Sequence, residues 1–203
     1  MHKLTIGVLG LALLAATSAA ALAEGGQPVR VRGEIGGIDG NTLFIKSRDG
    51  EPVMIKLTDN WAVGKVSPVT MAALKKGQFV GVAARPAKDG SLTAIEVLIL
   101  PEALRGSNEG HYPWDLEPGS NMTNANVDAT VVKKGADALS LSYKGGTQNI
   151  AVTKEAAVVA LGPGDRSDVK PGAFAVVFAT KGTDGMLTAS RLAVGKDGAQ
   201  PPM

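Results

Sequence analysis

The chain reads as an all-β protein: a tandem pair of small five-stranded barrels, each with a short helix or helical turn between its third and fourth strands. Three observations predict this. Apolar and polar residues alternate with period two, as where Val29, Val31 and Ile35 are separated by Arg30, Arg32 and Glu34, the pattern of a strand with one buried face. Turn sequences built on Gly, Asn and Asp punctuate these stretches, at Asp39-Gly40-Asn41, Arg48-Asp49-Gly50 and Lys88-Asp89-Gly90, because these residues tolerate the backbone angles of tight turns. Finally, a displacement of 95 positions aligns residues 50–97 with 145–192 without a gap, and 16 of the 48 positions are identical. Self-similarity on that scale marks a copied structural unit, and two copies make a tandem pair rather than a solenoid.

The first copy supplies its elements in order. Val29–Ile35 is the first strand, Leu43 and Ile45 mark the second, and Val53, Ile55 and Leu57 the third. Between Ser67 and Gly77 the pattern changes: Ser67 suits a helix cap, Pro68 a first helical position, and Lys75, Lys76 and Gly77 a helix end. Gln78–Ala84 and Leu92–Ile99 return to strand, joined by the Lys88-Asp89-Gly90 turn. The second copy repeats the plan with strands at Val127–Val132, Ala138–Tyr143, Gln148–Val152, Ala173–Thr180 and Leu187–Val194. Its helical piece, Asp165–Pro171, is limited to one turn because Pro171 blocks extension.

The order of three strands, a helix and two strands is that of an OB-type barrel. A split barrel or an open sandwich produces the same pattern. Each unit of about 70 residues is small for a core of Val, Ala and Leu, so docking of the two copies into one bilobal body is expected.

The expected organisation is a signal peptide at 1–23, a first OB-like barrel at 24–99, a connector at 100–125, a second barrel at 126–195 and a tail at 196–203. The leading segment has a basic start (His2, Lys3), an apolar run from Leu4 to Ala16, and Ala21-Leu22-Ala23 before Glu24. That is the layout of a cleaved secretory signal, and its apolar run is shorter than the ~20 residues that span a bilayer. The expectation is a periplasmic protein, cleaved before Glu24, with no membrane span after cleavage.

Composition narrows the chemistry. There is no cysteine, so disulfides, thiolate metal sites and cysteine nucleophiles are excluded. The formal net charge of +2 argues against a nucleic-acid partner, which calls for a clustered cationic excess. No G-x-S-x-G elbow is present, and the glycine pairs at 36–37 and 145–146 and the Gly162-Pro163-Gly164-Asp165 turn do not form a phosphate loop. Met54, Met71, Met122, Met186 and Met203 are scattered rather than clustered as a soft-metal site. No enzyme activity, cofactor or resident metal is expected.

The connector is the unusual piece. It lacks either hydrophobic period yet carries Tyr112, Trp114, Leu116 and His111, the single histidine after Glu24. Burial of Tyr112 and Trp114 contributes roughly 1.5–3 kcal/mol each, enough to pin it against a barrel. Two readings are open: an ordered strap with Trp114 in the seam between lobes, or a ligand- or metal-contact patch of Glu109, His111, Tyr112, Trp114 and Asp115. Phe44, Trp61 and Tyr143 are further stacking candidates or core residues, and Arg30, Arg32, Lys46, Arg48 and Lys56 give a mildly basic face.

Several stretches together carry a resemblance: the VRVRGEIGGIDGNTLFIK opening, Leu74-Lys75-Lys76-Gly77-Gln78-Phe79-Val80-Gly81-Val82, Pro101–Gly106, Gly110-His111-Tyr112-Pro113-Trp114-Asp115-Leu116 and Ser120–Ala125. With the signal peptide, they resemble exported proteobacterial proteins whose repeats look like domain-of-unknown-function family 5666. The resemblance covers nearly the whole chain after Glu24. It implies small OB-like barrel repeats and supplies no substrate, catalytic residue or cofactor. The functional expectation is a non-enzymatic periplasmic binding or scaffold protein for an envelope partner or small ligand. The alternative is a periplasmic metal or small-ligand binder using the connector around His111 and Trp114.

Overall fold

The structure, a computed structural model, describes residues 26–131 and 137–201. The signal-peptide reading, residues 1–23, lies outside the described residues. Twelve strands are present among them: β1 Gln27–Asp39, β2 Thr42–Ser47, β3 Pro52–Pro68, β4 Phe79–Pro86, β5 Leu92–Ile99, β6 Gly110–Pro113, β7 Asn121–Val131, β8 Asp137–Tyr143, β9 Gly146–Val152, β10 Ala157–Pro163, β11 Phe174–Lys181 and β12 Leu187–Gly195. Helical content is confined to three single 3-10 turns, Met71–Ala73, Glu102–Leu104 and Arg166–Asp168. The protein is all-β, as its alternation predicts.

The alternation assigns the faces. In β1, Val31 and Ile35 are buried while Glu34 is exposed. Gly33 sits between them where β1 passes close to β2; a Cβ there would lie 2.0 Å from the Lys46 carbonyl oxygen. The turns explain several identities of the repeat. Gly77 and Gly172 both have φ +83°, and Gly90 and Gly185 have φ +81° and +80°, values that carry a steric cost for any residue with a Cβ.

Strand pairing closes two five-stranded rings. In the first, β1 pairs β2, β2 pairs β3, β3 pairs β12 in parallel, β12 pairs β11, and β11 returns to β1. In the second, β7 pairs β8, β8 pairs β9, β9 meets β5 in parallel through Ile150 and Ala151, β5 pairs β4, and β4 returns to β7. Each ring encloses its own core. Ile35, Leu43, Ile55, Leu57, Val177 and Leu192 belong to the first, and Val80, Val82, Val97, Leu139, Leu141 and Ile150 to the second.

The rings do not coincide with segments 24–99 and 126–195. The first is built from both ends of the described chain, β1–β3 and β11–β12. The second is one run from β4 to β9. The chain therefore crosses between rings twice, over residues 69–78 and 164–173. Both halves carry the same inside–outside pattern, so β11 and β12 satisfy the first ring with the face that β4 and β5 use in the second. Equivalent irregularities recur: bulges at Ile35/Gly37 and Val127/Ala129, and at Ala83/Ala84 and Phe178/Ala179.

Three local expectations are corrected. No helix follows Ser67: β3 continues through Pro68, and the Met71–Ala73 turn has no side-chain cap. At the corresponding point of the second half, the Arg166–Asp168 turn has a capping box, with Asp165 accepting from the Ser167 N–H and Asp168 accepting from the Asp165 N–H. The connector is not aperiodic throughout, because β6 adds to the edge of β7, and β7 begins at Asn121 rather than near residue 126. The stretch Ala157–Pro163 is strand as well, and it joins the rings. β10 runs antiparallel to β3 and parallel to β5. Val66, Leu98, Val159 and Ala193, one from each of β3, β5, β10 and β12, form a small separate core there.

Candidate functional site

The connector leaves β5, turns at Glu102–Leu104 and lies along the second ring. Arg105 fastens this turn: its guanidinium donates to the Gly77 carbonyl, to the Glu102 carboxylate and to Asn126 Oδ1. β6 then pairs with β7, placing Tyr112 opposite Met122 and His111 opposite Thr123. Because side chains alternate along a strand, these two neighbours face opposite ways.

The face bearing Tyr112 and Trp114 closes a cavity of about 290 Å³ between the rings. Its apolar walls include Leu100, Leu161 and Met122. Tyr112 and Trp114 meet edge to face, 6.0 Å between centroids, a favourable aromatic geometry. The Tyr112 hydroxyl accepts from Asn124 Nδ2 at 2.9 Å, and burial raises the Tyr112 pKa despite Arg30 and this hydrogen bond. Tyr112 is therefore a neutral hydroxyl with its proton available for donation.

The charges of the cavity wall are two arginines; no acidic residue lines it. Arg30 opposes Phe178 across β1 and β11, and Phe178 opposes Arg191 across β11 and β12. The three form one cross-strand row on one face, which sets the two arginine backbones about 10 Å apart. Each guanidinium lies on an aromatic ring: Arg30 at 3.8 Å from the Trp114 centroid and Arg191 at 4.8 Å from that of Phe178. Such stacking holds a planar cation in place while leaving its edge open to acceptors.

Asp115 sits at the rim. Its carboxylate accepts from Arg32 at 2.7 Å and from Arg30 at 3.2 Å. Burial works to raise the Asp115 pKa, but the hydrogen bond and charge of Arg32, then those of Arg30, outweigh it and leave the carboxyl below its ordinary range. One carboxylate thus faces two guanidinium groups, while Arg191 has no carboxylate partner among the described residues. Two N–H groups of wall residues, Arg30 Nε and Trp114 Nε1, are shielded from solvent without an acceptor.

The five connector residues separate. Tyr112 and Trp114 line the cavity, and Asp115 anchors Arg30 beside it. His111 turns to the other face, its Nδ1 2.8 Å from Thr123 Oγ1, and Glu109 accepts from the Lys144 backbone N–H. Among the described residues, no group of three or more His, Asp and Glu side chains is arranged to hold a metal ion. Of the other aromatics, Trp61 is a core residue of the first ring with Arg166 stacked at 4.5 Å, Tyr143 packs on the second core, and Phe44 is exposed opposite Met54.

Sequence reasoning missed Arg191 and treated Arg30 as part of a solvated basic face. The only signal for Arg191 is a contrast within the repeat: position 96, which is 95 residues earlier, holds Glu96. Glu96 is completely buried and is the acidic charge acting on Arg48, whose pKa is lowered by burial and by Arg32 and raised by Glu96. No helix among the described residues is long and apolar enough to cross a membrane. No protein-family model, curated protein or solved structure matches the chain.

Proposed function

We propose that this protein is an exported, non-enzymatic periplasmic binding protein, in which two OB-type barrels derived from one repeated unit frame a small-ligand pocket closed by the connector. The cavity under Tyr112 and Trp114 is the observation that carries this reading. At about 290 Å³ it is near the lower end of the range for small-molecule sites, and its apolar walls with a few polar groups match their composition. The ring order, with a parallel contact between third and fifth strands, supports the OB assignment. Such barrels commonly use their faces and loops for binding. The leader at 1–23 and the resemblance to exported family 5666 proteins support the periplasm. A hydrolytic role draws no support from His111, which sits on Thr123 and away from the pocket. Scaffolding of an envelope partner is a second reading, favoured by the exposed Phe44–Met54 pair on the first ring.

The test is a thermal-shift screen of small apolar compounds, neutral and charged, against the full protein and Ala62→Trp. Ala62 is an exposed wall residue, so the indole plugs the pocket without disturbing a core. Stabilisation of the wild type that is lost in Ala62→Trp is expected. Equal shifts in both proteins, or none in either, would remove the pocket as the basis of function.

A further inference from the structure

We infer that the pocket takes a small apolar carboxylate, with Arg191 as the group that receives its anionic end; the inference rests on the binding reading above and specifies the ligand. The wall contains two guanidinium groups and no acid. Arg30 is already engaged by Asp115, which it shares with Arg32. Arg191 is stacked on Phe178 and has no carboxylate partner among the described residues. It is therefore an oriented, uncompensated fork of donors at the mouth of an apolar cavity. A guanidinium fork matches a carboxylate in a bidentate arrangement.

The rest of the wall sets the remainder of the ligand. Leu100, Leu161 and Met122 offer apolar contact, and the Tyr112 and Trp114 rings offer edges and faces for an aromatic or branched aliphatic tail. The protonated hydroxyl of Tyr112 adds a donor, so a ligand carrying acceptors suits the wall better than a cationic or donor-rich one. An apolar cavity of ~150 Å³ accepts benzene; at about 290 Å³ this one has room for a ring and a short chain. A bare inorganic anion would leave the apolar walls unfilled.

Three matched probes separate the contributions: 3-phenylpropanoate, 3-phenylpropan-1-ol and 3-phenylpropylamine, titrated calorimetrically into the full protein. The carboxylate is expected to bind about ten- to a hundred-fold more tightly than the alcohol, the factor of one charge-assisted hydrogen bond, and the amine most weakly. Arg191→Gln is expected to reduce the carboxylate to the affinity of the alcohol. Arg191→Lys, which keeps the charge and loses the fork, should fall between. Equal binding of carboxylate and alcohol, or preference for the amine, overturns the carboxylate inference while the pocket stands. An unchanged preference in Arg191→Gln overturns the role of Arg191. Absence of binding by all three, together with no ligand in the thermal-shift screen, removes both the inference and the binding reading.

Discussion

Val66 on β3 and Leu161 on β10 lie directly opposite each other in the antiparallel ladder that joins the two rings. They are 95 positions apart, so equivalent residues of the two halves meet at the centre of the seam. Val66 is completely buried and packs with Leu98, Val159 and Ala193. Val66→Ala removes methyl groups from a cluster fed by four strands, and a loss of about 2 kcal/mol is expected. The loss should lower a single thermal transition, because β10 is hydrogen-bonded into both rings. Differential scanning calorimetry checks this; two resolved transitions would mean that the rings fold independently.

The exchange of strands predicts the behaviour of a truncated chain. A protein ending at residue 99 keeps β1–β5 but lacks β11 and β12 for the first ring and β7, β8 and β9 for the second. Both rings then have open edges and incomplete cores. Such a chain is expected to show no dispersed amide spectrum as a monomer by two-dimensional NMR. A folded monomer of that length would show that β4 and β5 close on β1–β3 within one copy.

Trp114 and His111 differ in what they hold. Trp114 lies between Arg30 and Tyr112 at the cavity wall, so Trp114→Ala is expected to cost about 3 kcal/mol, the lower end for large aromatic truncations because the side chain is half-buried. His111 offers one hydrogen bond to Thr123, and His111→Ala should cost about 1 kcal/mol. Chemical denaturation of the two variants measures the difference. Equal losses would place His111 in the framework on a par with the indole.

Asp115 gives the protein an acid-sensitive contact. Its folded pKa lies below the ordinary value of 3.8, so the folded state favours the ionised form. That contribution is fully present above the unfolded pKa and disappears as pH falls below about 4 and through the folded value. Asp115→Asn should therefore be less stable than wild type at pH 7, with the gap narrowing below pH 4. Because the carboxylate is half-exposed, salt should reduce the gap at neutral pH as well. Urea melts across pH and ionic strength report it; a gap that is constant down to pH 3 would detach the effect from the Arg30–Asp115–Arg32 pairing.

Much of this fold is legible in the sequence because strand alternation and turn glycines are local. Val31 and Ile35, Leu43 and Ile45, and Ile55 and Leu57 announce buried faces, and Gly77, Gly90, Gly172 and Gly185 stand where the backbone demands positive φ. What alternation leaves open is partnership. Leu92-Thr93-Ala94 and Leu187-Thr188-Ala189 present the same pattern, so either strand pair fits either ring, and side-chain period alone does not choose between them. The extension of β3 through Ala62–Pro68 and the strand β10 were hidden for a related reason. They form the shared ladder, where only Val66 and Val159 are fully buried and the apolar–polar rhythm fades. At the site, Tyr112 and Trp114 stood out as large rings in a loop. Arg30 and Arg191 did not, because a strand arginine on an outward face has the same local signature whether it meets water or the wall of a cavity.

The double crossing also sets an order of events in biogenesis. The pairing of Gln27 with Lys181, and of β3 with β12, makes β1 and β3 wait for β11 and β12. Until residue 195 has emerged, the first ring has a gap two strands wide, whereas the second has all its strands once residue 152 is out. Closure therefore proceeds outward from the middle of the polypeptide, the second ring before the first.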